Sequence, residues 1–263
     1  MKTKQIILAA GMGSRLYPLT ENIPKGMVTL HEISIIENQI NIAKKNNIEE
    51  VIIVTGYRSE KIIFENITKI INDKYTTSNM IVSLDCALAS IDFTECNVII
   101  SYADIVYNEE VFNTLLSSKY ANSIVVDDNW LDYWRERFDD PLSDAESCMI
   151  NSSQILTDIG QKTDSFDNIK SQYIGLMKFN SNTIQFMKSI ISDDRNNDNS
   201  FICLGKSHNN LYMTDLLRYL ISQKFELKAL RINGGWLEID SFRDYNISLK
   251  YTKVVDYLLK VLR

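Results

Sequence analysis

Two sets of residues in this chain have types and spacing suited to chemistry. The first is a glycine loop, Leu8-Ala9-Ala10-Gly11-Met12-Gly13-Ser14, followed by Arg15 and, across Pro18 and Pro24, by Lys25. Small residues let backbone N–H groups close around phosphates. Arg15 adds a planar, bidentate phosphate donor, and Lys25 adds a point charge on a proline-stiffened segment. The second set is a pair of carboxylates, Asp104 after Ile99-Ile100-Ser101-Tyr102-Ala103 and Asp240 after Trp236-Leu237-Glu238-Ile239. Each closes an apolar run, and strand ends of this kind form the edge where open α/β sheets bind ligands. The loop is not a dinucleotide fingerprint, because Leu16 stands where the third glycine belongs and Pro18 interrupts the helix. It is not a Walker A loop either, since no Gly-Lys-Ser/Thr follows.

These groups suit attack by a phosphate or phosphonate oxygen on the α-phosphorus of a nucleoside triphosphate. The nucleophile is already an anion near neutral pH, and pyrophosphate leaves readily. Charge neutralisation and in-line positioning then suffice, without a general base. A chain with only two histidines, His31 and His208, can run this chemistry, and both are read as structural. Four cysteines stand far apart at 86, 96, 148 and 203 with no Cys-x-x-Cys, so neither a zinc site nor a disulfide framework is expected.

The elements that must position these residues follow from the apolar pattern. Gln5–Ala10, Glu50–Gly56 and Asn97–Asp104 are short continuous apolar runs, the mark of buried parallel strands. Ser34–Lys45, Ser59–Ile71 and Met80–Ile91 have helical spacing, with Ser59 as a candidate N-cap. Strand and helix alternating in this way predict a Rossmann-like, three-layer α/β/α fold on a mixed, mostly parallel central sheet. Further on, Ser123–Asp127, Cys148–Ile159 and Gln172–Phe179 read as strands, and Asn129–Ser147 reads as a long loop or insertion. Ser181–Ile191 and Met213–Lys224 read as helices, Ser192–Ser200 as a polar loop, and Glu226–Asp240 as strand around a Gly234-Gly235 turn. An amphipathic helix over Asp244–Leu262 closes the chain. One domain over 1–263 is expected, with a nucleotide-binding half (1–128), an acceptor-binding half (129–240) and the closing helix (241–263).

The string from Leu8 to Lys25, with Asp104 and Asp240, resembles the nucleotidyltransferases that join a nucleoside triphosphate to a phosphorylated acceptor. The resemblance implies a nucleotide cradled by Leu8, Ala9, Ala10, Gly11, Gly13 and Ser14. It implies Arg15 on the β and γ phosphates, Lys25 bridging the α-phosphate to the attacking group, and Mg²⁺ on Asp104 and Asp240. Asn79-Met80 with Ser83-Leu84 is similar to a segment of the cytidylyltransferases acting on phosphocholine and aminoethylphosphonate. That implies CTP, with Asn79 reading the base and Ser83 beside it, although Asn79 also suits a helix N-cap. Ile99–Tyr107, the run from Trp130 to Glu146, Gln172–Leu176 and Tyr212–Asp215 sharpen the likeness toward phosphoglutamine cytidylyltransferases of capsular polysaccharide phosphoramidate biosynthesis.

The expected acceptor is therefore a phosphorylated small molecule, L-glutamine phosphate first, giving CDP-L-glutamine. Phosphocholine, 2-aminoethylphosphonate or a sugar 1-phosphate would keep the chemistry and change the acceptor. Trp130 and Trp134 suit either a cage for a quaternary ammonium or a core-facing helical pair. Arg137 with Asp144 or Glu146 would hold a zwitterionic amino acid. By resemblance Lys162 contacts the acceptor phosphate, and Tyr173, Gly175, Tyr212 and Asp215 lie near the acceptor. A nucleotide-sensing subunit would be expected to lack Lys25 or one aspartate, and a glycosyltransferase would carry Asp-x-Asp where this chain has Asp104-Ile105-Val106. The net charge of −6 argues against nucleic acid or an anionic membrane as partner. A reduced, cytoplasmic protein is expected, with Val254, Val255, Leu258 and Leu262 free to pack either on their own domain or on a second subunit of a homodimer.

Overall fold

The computed structural model describes residues 2–197 and 206–251. Strand β1 (Lys2–Ala9) leads through a loop to two short strands, β2 (Thr29–Leu30) and β3 (Ile33–Ser34), and helix α1 (Ile35–Lys45). Then come β4 (Glu50–Thr55), β5 (Thr68–Ile71), α2 (Met80–Ser90), β6 (Cys96–Tyr102), β7 (Ile105–Tyr107) and α3 (Glu109–Leu116). The second part adds β8 (Asn122–Asp127), α4 (Trp130–Arg137), β9 (Glu146–Ile150), β10 (Leu156–Lys162), β11 (Gln172–Phe179) and α5 (Ser181–Asn197). It ends with α6 (Met213–Ser222), β12 (Lys228–Ile232), β13 (Trp236–Glu238) and α7 (Phe242–Ser248).

Seven strands form the central sheet in the order β12-β8-β11-β6-β1-β4-β5. All neighbours run parallel except β11, which is antiparallel to both β6 and β8. The sheet is mixed and mostly parallel, as the sequence pattern requires. Side chains alternate across β1: Ile6 and Leu8 pack with Ile81, Leu84, Met187 and Leu216 on one face, while Ile7 and Ala9 pack with Ile36, Ile40 and Ala43 on the other. Helices α2, α5 and α6 thus cover one face and α1 the other, giving three layers. Helix α1 starts where its capping chemistry dictates. The Glu37 N–H donates to Ser34 Oγ, and the Glu37 carboxylate accepts from the Ser34 N–H.

Four expectations are corrected. Residues 59–71 are a single 3₁₀ turn at Ser59–Lys61 and then the edge strand β5. The isoleucines there do not make one buried stripe: Ile62 is buried, Ile63 and Ile71 are exposed, and pairing with β4 suits a β-branched run better than a helix does. Residues 129–147 are not a loop throughout, because α4 buries Trp130, Tyr133, Trp134 and Arg137. Cys148–Ile159 spans two antiparallel strands, β9 and β10, turned where the Asn151 carboxamide accepts from the Ser153 and Ile155 amides. Helix α5 continues through the polar stretch to Asn197, since Asp194 meets His208 and Arg195 pairs with Asp85. Of the closing helix, the structure shows α7, and residues 252–263 lie outside the described residues.

Cys86, Cys96 and Cys148 are free thiols. No helix among the described residues is long and apolar enough to cross a membrane.

Candidate active site

The glycine loop leaves the C-terminal end of β1 at the sheet edge. Gly13 is left-handed (φ +66°), and a Cβ there would lie 2.8 Å from the Lys25 Cβ. Glycine therefore permits both the turn and the close approach of Lys25. Thr20 Oγ1 donates to the Gly13 carbonyl at 2.8 Å and ties the loop to itself. Pro24 precedes the 3₁₀ turn Lys25–Met27, which aims Lys25 back over the strand ends.

Asp104 and Asp240 are joined by a small ribbon. Strands β7 and β13 pair antiparallel, with Glu238 opposite Ile105, and the Ile239 N–H donates to the Asp104 carbonyl at 2.8 Å. Lys25 Nζ donates to Asp104 Oδ2 at 2.7 Å and also to Asp240 Oδ1, while Arg15 pairs with Asp240 Oδ2. Burial works against the Lys25 charge, but the two carboxylates more than offset it and raise its pKa. Burial pushes the Asp240 carboxyl upward, and Lys25 and Arg15 overcome that to hold it below its usual value. Asp104 Oδ1 is buried without a hydrogen-bond partner among the described residues. An orphaned carboxylate oxygen beside a second carboxylate fits a hard divalent cation such as Mg²⁺, and Asp104 and Asp240 are the residues that would hold it. Among the described residues no group of three or more His, Cys, Asp or Glu side chains forms a metal centre, so water or a ligand would complete the shell.

Two cavities meet at this cluster. The first, about 300 Å³, is lined by Leu8, Ala9, Ala10, Gly11, Gly13 and Ser14, by Asn79 and Ser83, and by Lys25 and Asp104. Every residue expected to hold the nucleotide is present in it. Asn79 occupies the N-cap position of α2, yet its side chain makes no capping hydrogen bond and stays available to a ligand. Asn72, Tyr75, Ser78 and Met80 also line this cavity. Sequence reasoning missed Asn72 because it drew 59–71 as a helix, while Tyr75, Ser78 and Met80 belong to the stretch around Asn79 that carries the likeness. Once β5 is a strand, Asn72 falls at its C-terminal end, where ligand-contacting residues belong. Its Nδ2 donates to Ser83 Oγ at 3.0 Å.

The second cavity, about 350 Å³, shares Arg15, Met80 and Asp240 with the first. Glu146, Tyr173, Gly175 and Tyr212 line it as expected. Gly175 has φ +81° and lets the Tyr102 ring lie against β11, edge-on to Tyr173. Tyr102, Trp134, Asp144, Gln172, Trp236 and Glu238 complete its working wall. Burial, with Asp144 nearby, pushes the Glu146 carboxyl up, and burial does the same to Asp144.

Four expected acceptor residues, Arg137, Trp130, Lys162 and Asp215, do not line this cavity. The Arg137 side chain is 1% exposed, donates to Asp244 Oδ1 at 2.9 Å and to Glu238 Oε2 at 2.6 Å, and stacks on Trp134. A buried guanidinium needs such partners, and they consume it. It serves as scaffold, since Asp244 in turn accepts from the amides of Asp240 and Ser241. Trp130 is buried against Trp134 and Phe166. Lys162 lines a separate open groove that touches the cavity only through Asp144 and Glu146. Asp215 lines neither cavity: it accepts from the Tyr212 N–H and pairs with Lys206. His208 lies away from both cavities, with Nδ1 2.9 Å from Asp194.

The model of the MobA-like NTP transferase domain matches residues 5–142. The chain is 37% identical to the CTP:phosphoglutamine cytidylyltransferase of Campylobacter jejuni over 255 residues, which cover 93% of this chain and 98% of that one. It is 38% identical to the choline-phosphate cytidylyltransferase of Haemophilus influenzae over 126 residues, 45% of this chain and 52% of the relative. Among solved structures, the CTP:phosphocholine cytidylyltransferase of Streptococcus pneumoniae superposes with a TM-score of 0.73 at 23% identity, over 95% of this chain and 99% of that one. That likeness shows the fold.

Proposed function

The chain belongs to the MobA-like NTP transferase family and is a nucleotidyltransferase, and on that premise we propose that it is a cytidylyltransferase. It transfers CMP from CTP to a phosphorylated small molecule, L-glutamine phosphate first, and releases pyrophosphate. The reading is supported most by the convergence of Lys25, Arg15, Asp104 and Asp240 at the junction of the two cavities.

In this reaction an acceptor phosphate oxygen forms a bond to the α-phosphorus. The bond from the α-phosphorus to the bridging β-phosphate oxygen breaks, and pyrophosphate departs with that electron pair. The glycine loop binds the triphosphate through its amides, and Asn79 meets the base. Arg15 faces both cavities, so its charge serves the leaving pyrophosphate and the approaching acceptor alike. Lys25 offsets repulsion between the two anions as they close. Mg²⁺ held by Asp104 and Asp240 would neutralise further charge on the triphosphate.

The test is pyrophosphate release with each nucleoside triphosphate in turn, against L-glutamine phosphate, phosphocholine, 2-aminoethylphosphonate and glucose 1-phosphate. Turnover confined to CTP and highest with L-glutamine phosphate is expected. In Lys25→Ala the rate should fall on the order of 100- to 1000-fold, as for removal of one preorganised charge donor. Equal turnover with UTP or dTTP, or an unchanged rate in Lys25→Ala, would overturn the reading.

A further inference from the structure

The second cavity carries more information than its position beside the nucleotide. Two of its carboxylates, Asp144 and Glu146, have no cationic side chain within ion-pair distance among the described residues. Asp144 accepts only from Trp134 Nε1, at 3.1 Å. Gln172 faces the same cavity, is 9% exposed, and its Oε1 has no hydrogen-bond partner among the described residues. The terminal torsion of glutamine is broad, so this carboxamide can turn its oxygen to a ligand. Buried acceptors of this kind are costly unless a donor arrives.

The aromatic residues present do not offer the alternative. A quaternary ammonium has no N–H and is held by open ring faces. Here the Arg137 guanidinium lies 4.7 Å from the Trp134 ring centre, and Lys206 Nζ lies 5.3 Å from that of Tyr212. Trp130 is in the core. Of the rings that line the cavity, Trp134 and Tyr212 each have a protein cation beside them, Tyr102 packs edge-on to Tyr173, and Trp236 packs against Tyr133 and Trp134, while Glu146 and the Gln172 oxygen have no donor among the described residues.

We propose that this cavity recognises the acceptor by a protonated primary amine, whose N–H groups donate to Asp144, Glu146 and the Gln172 carboxamide. The inference rests on the cavity being the acceptor site of the transferase, and it extends that reading to the head group. A primary ammonium satisfies all three acceptors, whereas a trimethylammonium satisfies none and leaves Gln172 orphaned.

The experiment is a graded methylation series. Phosphoethanolamine and its mono-, di- and trimethyl homologues are titrated into the full chain by calorimetry, and pyrophosphate release from CTP is followed with each. L-glutamine phosphate is run beside its counterpart with a trimethylated α-amino group. Affinity should fall as methyl groups replace N–H donors, by roughly 10- to 100-fold from the free amine to the trimethyl form. In Gln172→Leu and Glu146→Gln the series should flatten. Absence of a preference for the free amine in both sets overturns the proposal, as does equal weakening of every member in the two variants. Cytidylyl transfer is tested separately by the pyrophosphate readout, because the binding order is read without turnover.

Discussion

The two cavities at the sheet edge are built in opposite ways. The first cavity, proposed to take the nucleotide, is lined on one side by the end of β1 and the segment that runs on to Lys25, with the start of α2 across from it. The second cavity draws its wall from α4, β6, β7, β9, β10, β11, β13 and the starts of α2 and α6, which meet only after the chain has folded. A site made by one loop owes its shape to local backbone rules, as Gly13 shows. A site made by many elements owes its shape to whatever holds them together. Here that is a buried ion-pair network, in which Arg137 joins α4 to Glu238 on β13 and to Asp244 at the start of α7.

That contrast can be broken, first and with the largest effect, at Arg137. Arg137→Leu leaves the Asp244 and Glu238 carboxylates without their cation, and removing one partner of a buried pair destabilises by about 3–5 kcal/mol. Urea unfolding of the wild type and variant measures it. A variant that stays fully stable but loses acceptor affinity would make Arg137 a ligand contact after all. On the nucleotide side, Gly13→Ala forces a left-handed residue, about 1–2 kcal/mol, and presses on Lys25. It should lower kcat together with CTP affinity while sparing direct acceptor binding. Equal weakening of both would show that the two cavities are not built independently.

The junction is tested by pH. The folded-state pKa of Asp240 is depressed, so its contribution to stability is present above its ordinary value of 3.8 and fades as pH falls through the folded value. Asp240→Asn should therefore flatten the acid limb of a plot of unfolding free energy against pH, with little change in slope near neutrality. An acid limb of unchanged steepness would show that Asp240 does not carry it. The smallest effect is expected from Asn79→Ala. One lost hydrogen bond to the base is about 0.5–1.5 kcal/mol, near a tenfold rise in KM for CTP with kcat unchanged. Because its side chain does not cap α2, the thermal midpoint should hold. A fall in that midpoint would assign Asn79 to the helix instead.

How legible these regions are in the sequence follows the same division. The loop residues from Leu8 to Ser14 could be read because glycine, small residues and a following Arg and Lys act at short spacing. The mostly parallel sheet was legible because apolar runs such as Ile6–Ala10 and Val51–Val54 bury both faces. The edge strand β5 was not, since a run of isoleucines at mixed spacing fits two periods and only pairing with β4 selects one. That error hid Asn72 at the end of the strand. Arg137 misled for a different reason. An arginine among aromatics and acids has the same signature whether it waits for a ligand or is already spent on Asp244.

Residue order alone therefore carries the α/β/α layering, the phosphate loop and the two strand-end aspartates, since each depends on interactions within a few positions. Three things required the folded chain: the β7–β13 ribbon that brings Asp104 to Asp240, the burial of Arg137 and Trp130, and the gathering of Asp144, Glu146 and Gln172 on one cavity wall. Which charges are already paired depends on partners more than a hundred residues away, and no local pattern encodes that pairing.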